Sequence, residues 1–132
     1  MSNADINGDR TEFDDWLTDM VRQHGKFTTL VILTEIGERR VAPLCSTFLH
    51  VMGDEVDWQE IKALFAGSGK LWDGAAFFPT KANSGGPIDN PTARLRLAEL
   101  EAKIREDRRV LNDGHFFDSC GRRIEIEPIA DA

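Results

Sequence analysis

The chain has no tyrosine, only two cysteines and three histidines, and no apolar run long enough to cross a bilayer. Each shortage removes a class of function. Cys45 and Cys120 are too few and too far apart for a disulfide framework or a Cys-x-x-Cys zinc pair, so both are expected to be reduced. A membrane-spanning helix needs roughly 18 consecutive apolar residues, and none occurs. Asp5, Asp9, Glu12, Asp14 and Asp15 stand where a secretory signal would need basic and then apolar residues. The expectation is a cytoplasmic protein without membrane association. Basic charge is scarce as well: 16 Lys and Arg against 23 Asp and Glu give a net charge of −7, which repels phosphate backbones and argues against a nucleic-acid partner.

What remains is an ordinary globular balance. At 132 residues the chain suits one domain whose core folds without metal or disulfide, and eight Phe with three Trp supply its bulk. Residues 1–8 are set apart as a disordered N-terminal segment, and 9–129 as a single domain. The acidity lies toward the front: residues 1–80 hold seven basic and thirteen acidic side chains, residues 81–132 nine and ten.

Start and stop signals punctuate the chain. Thr11-x-x-Asp14 resembles a capping box, Phe13, Trp16, Leu17, Met20 and Val21 give one apolar helix face, and His24-Gly25 closes it. Phe27–Ile36 is rich in β-branched residues with a continuous apolar middle, which predicts a central strand covered on both faces. Residues 39–47 read as its antiparallel partner, with Pro43 placing it at an edge or a bulge. Residues 48–55 fit a continuing strand or a loop. Asp57-x-x-Glu60 starts a short helix that stops at Gly67, and residues 72–79 read as a buried strand. Residues 82–88, with Gly85-Gly86, form the loop expected to be most mobile. The longest helix then runs from a cap at Asn90 with Pro91 to a left-handed end at Gly114. Its stripe Ala93, Leu97, Leu100, Ile104 and Leu111 skips one beat near Asp107 or Arg108. A hairpin over 116–128 ends the chain, turning at 118–121. The fold class that follows is α+β: a mainly antiparallel sheet of four to five strands with about three helices packed on it in two layers. A three-layer α/β fold is the alternative.

Chemistry is thinly represented. Ala66-Gly67-Ser68-Gly69-Lys70-Leu71 lacks the first glycine and the hydroxyl of a phosphate loop and follows a helix, so a helix-ending turn is the better reading. His50, His115 and Asp118 would supply three metal ligands if their loops met. Cys45 with His50, oriented by Asp54, would make a thiolate nucleophile only if a turn brought them together. Arg94, Arg96, Arg105, Arg108, Arg109, Arg122 and Arg123 form the basic concentration, but Glu99, Glu101 and Glu106 interleave with it, which favours a solvated face over phosphate recognition. Trp16, Trp58 and Trp72 sit where periodicity expects core rather than a ligand ring.

The sequence therefore favours a non-catalytic protein-binding or adaptor domain that self-associates as a homodimer. The expected surface is Arg94, Leu97, Leu100, Ile104, Arg105 and Arg108, or the strand edge beside Pro43. No cofactor is expected. A small metal-dependent hydrolase using His50, His115 and Asp118, with Ser84-Gly85-Gly86 as a lid, is the competing reading.

Overall fold

The computed structural model describes residues 10–38, 40–53 and 56–126. The N-terminal segment 1–8, position 39 of the expected second strand, position 54 and the hairpin's last residues 127–128 lie outside the described residues.

Helix α1, Glu12–His24, begins as its spacing predicts. The Thr11 hydroxyl accepts the Asp14 amide at 3.1 Å while the Asp14 carboxylate accepts the Thr11 amide at 2.9 Å. Gly25, at φ 70°, ends it and returns its N–H to the Val21 carbonyl. Strand β1, Phe27–Ile36, runs into strand β2, Val41–Val51, which resolves residues 48–51 as strand. Helix α2, Trp58–Ala66, is capped by Asp57, and strand β3 spans Gly74–Thr80. Helix α3, Asn90–Glu106, is followed by a 3-10 turn over Arg108–Asp113 and by strand β4, His115–Asp118.

Several boundaries differ from the sequence reading, β3 among them, which spans Gly74–Thr80 rather than 72–79. Asp89 rather than Asn90 caps α3, its carboxylate accepting the Thr92 amide at 2.8 Å, so Pro91 falls one position later. The helix does not reach Leu111: Asp107 adopts extended dihedrals and caps the 3-10 turn, where the apolar stripe skips its beat. Gly114 is not left-handed, at φ −95°. It is required by close approach, since a Cβ there would lie 2.7 Å from the Phe77 carbonyl oxygen. After the turn at 118–121, the return of the terminal hairpin reaches β4 through a bridge between Phe117 and Arg123 rather than as a full strand.

All four strands pair antiparallel in the order β2-β1-β3-β4, the mainly antiparallel α+β sheet that the sequence predicts. Alternation along β1 assigns the layers. Phe27, Val31 and Leu33 pack with Phe13, Trp16, Leu17, Trp58, Ile61 and Phe65, so α1 and α2 cover one face. Ile32 packs with Ala76, Ile104, Leu111 and Phe116, so α3 and the 3-10 turn cover the other. Three layers result where two were expected, because β1, apolar on both sides, needs cover on both. Among the described residues no helix is long and apolar enough to cross a membrane.

Candidate functional site

The histidines do not meet. His50 lies on β2 opposite Thr28 and His115 on β4 opposite Phe77, at the two outer strands of the sheet, separated by three strand spacings, roughly 14 Å across the sheet, and by a further three residues along it, since Thr28 faces Thr80 on β3. They also point to opposite faces, since Phe77 belongs to the α1 side and Thr28 alternates with Phe27 to the α3 side. Asp118 is engaged in its own turn, accepting the amides of Cys120 at 2.9 Å and Arg122 at 3.0 Å. Among the described residues no three His, Cys, Asp or Glu side chains gather as a metal site, so the ligand set His50, His115 and Asp118 is not assembled. Cys45 and His50 sit on one uninterrupted strand with Cys45 turned toward the other core, which removes the thiolate pair; position 54 lies outside the described residues.

His50 has a structural task. The Thr28 hydroxyl oxygen accepts the Ile88 amide at 3.0 Å and bonds His50 Nδ1 at 2.9 Å, and His50 Nε2 bonds Asn90 Oδ1 at 2.8 Å. Hydroxyl, imidazole and amide stand in the order of a nucleophilic triad, but Thr28 is 0% exposed and its oxygen is already engaged. The chain tethers the start of α3 and the loop before it to the edge strand. That loop is closed on itself by the amide of Ala82 on the carbonyl of Gly86, with Gly85 and Gly86 both at positive φ.

His115 is half-buried, its ring 4.8 Å from that of Trp16 and its Nδ1 3.2 Å from Arg123 Nη1. Burial, and then the nearby guanidinium, hold its pKa below the usual imidazole value. The folded protein therefore resists a proton that the unfolded chain accepts below about pH 6.5. Stability from this source is full above that pH, falls as acid passes through it, and stops falling below the depressed folded pKa. His115→Gln is expected to lose less of its urea midpoint than the parent between about pH 7 and pH 5. Equal losses in the two proteins would contradict the assignment.

The tryptophans are spent inside the fold, and most of the clustered arginines are engaged by the chain's own groups. Trp16 and Trp58 are buried and Trp72 half-buried in one aromatic core, with Trp58 Nε1 donating to the Ser119 carbonyl at 3.1 Å. Arg96 donates to the Thr80 hydroxyl, Arg108 to the Val41 carbonyl at 2.6 Å, Arg109 pairs with Asp107 and Arg122 with Asp118. Arg123 lies 4.9 Å over the Phe117 ring. The anticipated binding stripe is likewise internal: Ile104 is 1% exposed, and Leu97 and Leu100 pack against the sheet. Arg94 and Arg105 remain exposed on the surface of α3.

One part of the fold is left open. The outer side of β4 is closed by its own chain, through Asp118 N to Arg122 O at 2.8 Å and Ile124 N to Phe116 O at 2.9 Å. Among the described residues nothing pairs with the outer side of β2. Which backbone groups face outward follows from one bond. Asp73 N donates to Thr34 O at 2.8 Å, so Thr34 faces β3, and alternation turns Thr28, Leu30 and Ile32 the same way. Their β2 partners His50, Phe48 and Ser46 therefore turn their N–H and C=O groups away from β1.

The other half of this edge is blocked. Val41 and Pro43, opposite Ile36 and Thr34, also face outward, but the Val41 carbonyl is taken by Arg108 and Pro43 has no N–H. Leu44 is then skipped in the register as a bulge, as the proline foretold. Beside the bulge lies a cavity of about 270 Å³ lined by Ile32, Leu44, Ser46, Glu101, Ile104 and Arg105, with the Ser46 hydroxyl bonded to Glu101. The sequence announced an edge here through Pro43 but gave no sign that Ser46, Phe48 and His50 are the outward set. No protein-family model, curated protein or solved structure matches the chain.

Proposed function

We propose that the protein is a non-catalytic binding module that takes an extended segment of another polypeptide onto the open edge of β2. The observation that carries this reading is the row Ser46, Phe48 and His50, three alternate residues whose backbone groups face outward on a strand without a charged side chain from Val41 to Val51. Such an edge is the template for strand addition, in which main-chain bonds give affinity and pockets for alternate side chains give selectivity. The cavity between the Leu44 bulge and Arg105 receives one of those side chains. Native edges are ordinarily blunted by lysines, prolines or a covering segment, and among the described residues those devices occupy only the Val41–Pro43 half. The chain's acidity disfavours nucleic acid as the partner, and two free cysteines suit the reducing environment of the cytoplasm.

Peptide display tests this reading directly. Peptides selected on the immobilised protein are expected to be extended and alternating in polarity, and to lose binding to Phe48→Pro by tenfold or more. That substitution removes an outward N–H and leaves the β1–β2 ladder intact. Selected peptides that bind the folded variant equally well would refute strand addition at this edge.

A further inference from the structure

The occupant of that edge can be specified, on the strength of the strand-addition reading. We infer that it is a second copy of this chain, paired antiparallel across a two-fold axis at Phe48 so that two four-stranded sheets become one continuous sheet. An isologous contact requires a self-complementary surface. Centred on Phe48, Ser46 of each copy stands opposite His50 of the other and Phe48 opposite Phe48, so all three outward positions are matched and each pair exchanges two backbone hydrogen bonds. A register displaced by two residues toward the bulge sets one of the three opposite Leu44. A displacement the other way sets one opposite Met52, beyond the strand. The register centred on Phe48 is thus the one that leaves none of these three outward amides unpaired.

Electrostatics agree. Two copies at −7 each repel at a distance, yet the seam carries no charge, so no like charges are pressed together. Above it, α3 lies with Glu101 bonded to Ser46 on the β2 side and Arg96 bonded to Thr80 on the β3 side. Helical spacing places Arg94, Ala98, Glu101 and Arg105 along the β2 flank. A two-fold turns this row antiparallel to its copy. Arg94 of one protomer is then directed at Glu101 of the other, with exposed Ala98 between them small enough to admit the approach. Backbone pairing over a short strand with two flanking ion pairs lies at the small end of specific interfaces, so the dimer is expected to dissociate in the micromolar range.

Sedimentation of the full chain tests it, with amide exchange giving the register. At high micromolar concentration the mass is expected to be twice 14.8 kDa, with the amides of Ser46, Phe48 and His50 gaining protection as concentration rises. The intervening amides of Thr47 and Leu49 are protected throughout. Phe48→Pro should weaken association tenfold or more. Arg94→Glu, an exposed change that leaves the fold intact, should weaken it several-fold, and pairing it with Glu101→Arg should restore it. A chain that stays monomeric, or a dimer indifferent to both Phe48→Pro and Arg94→Glu, overturns the inference. Peptide selection judges strand addition separately: a monomeric chain whose selected peptides still require the Phe48 amide keeps the edge and loses only the second copy.

Discussion

Phe77→Ala is expected to destabilise the protein by about 3–5 kcal/mol, lowering its thermal midpoint by roughly 10–20 °C. Phe77 is 0% exposed and sits where both helices of one face converge on β3. Its ring centroid lies 4.9 Å from Phe13, 5.7 Å from Trp16, 5.9 Å from Phe117, 6.2 Å from Phe65 and 6.5 Å from Trp58, so five other aromatic rings lose a neighbour at once. Rings of this size do not collapse into the space left behind, and the cavity term adds to the lost transfer energy. Phe77→Leu, which keeps most of the volume, should cost about 1–2 kcal/mol. Leu95→Ala, at a residue 60% exposed, should be close to neutral and serves as the control. Urea unfolding measures all three. A Phe77→Ala loss below about 1 kcal/mol would mean that the aromatic cluster is not the organising core.

The open edge depends on this core, because β2 is held in place by β1, whose alternate residues enter the same cluster. How far that arrangement was legible in the sequence depends on the range of the forces involved. Thr11 and Asp57 accept amides, and Gly25 and Gly67 donate to carbonyls, within about a turn of themselves, so their roles could be read from spacing alone. Pro43 announced an edge because it lacks a donor wherever it sits. The break at Asp107 was visible only as a missed beat in the apolar stripe, and the choice between Asp89 and Asn90 as cap turned on one backbone dihedral that either residue tolerates. The partners of His50 lie 22 and 40 residues away in sequence. The outward direction of Ser46, Phe48 and His50 is a consequence of register, set by strand pairing over the whole sheet, and no local signal carries it. The same long-range packing explains why the stripe of α3 proved internal: an amphipathic helix announces that it needs cover, and its own sheet supplied it.

Asp14 shows how much a correctly read local motif can leave out. Its capping-box partner Thr11 was evident from spacing, but only one carboxylate oxygen serves that cap, Oδ2 accepting the Thr11 amide at 2.9 Å. The other, Oδ1, accepts the Trp58 amide at 2.8 Å, so one side chain in the first turn of α1 also satisfies the first amide of α2. Asp14 is 7% exposed and Trp58 1%, so water does not replace the lost acceptor when the carboxylate is removed. Asp14→Ala is therefore expected to cost about 3 kcal/mol, combining two bonds to a charged acceptor with a buried amide left unpaired. Thr11→Ala, which removes only the cap, should cost about 1 kcal/mol. The difference between the two, read from urea midpoints, isolates the bond between helices. Equal costs would show that the Trp58 amide gains nothing from Asp14 and that α2 is seated by its apolar face alone. A larger loss in Asp14→Ala would establish that the two helices are docked on the sheet as a pair, which keeps β1, and with it the outer side of β2, in register.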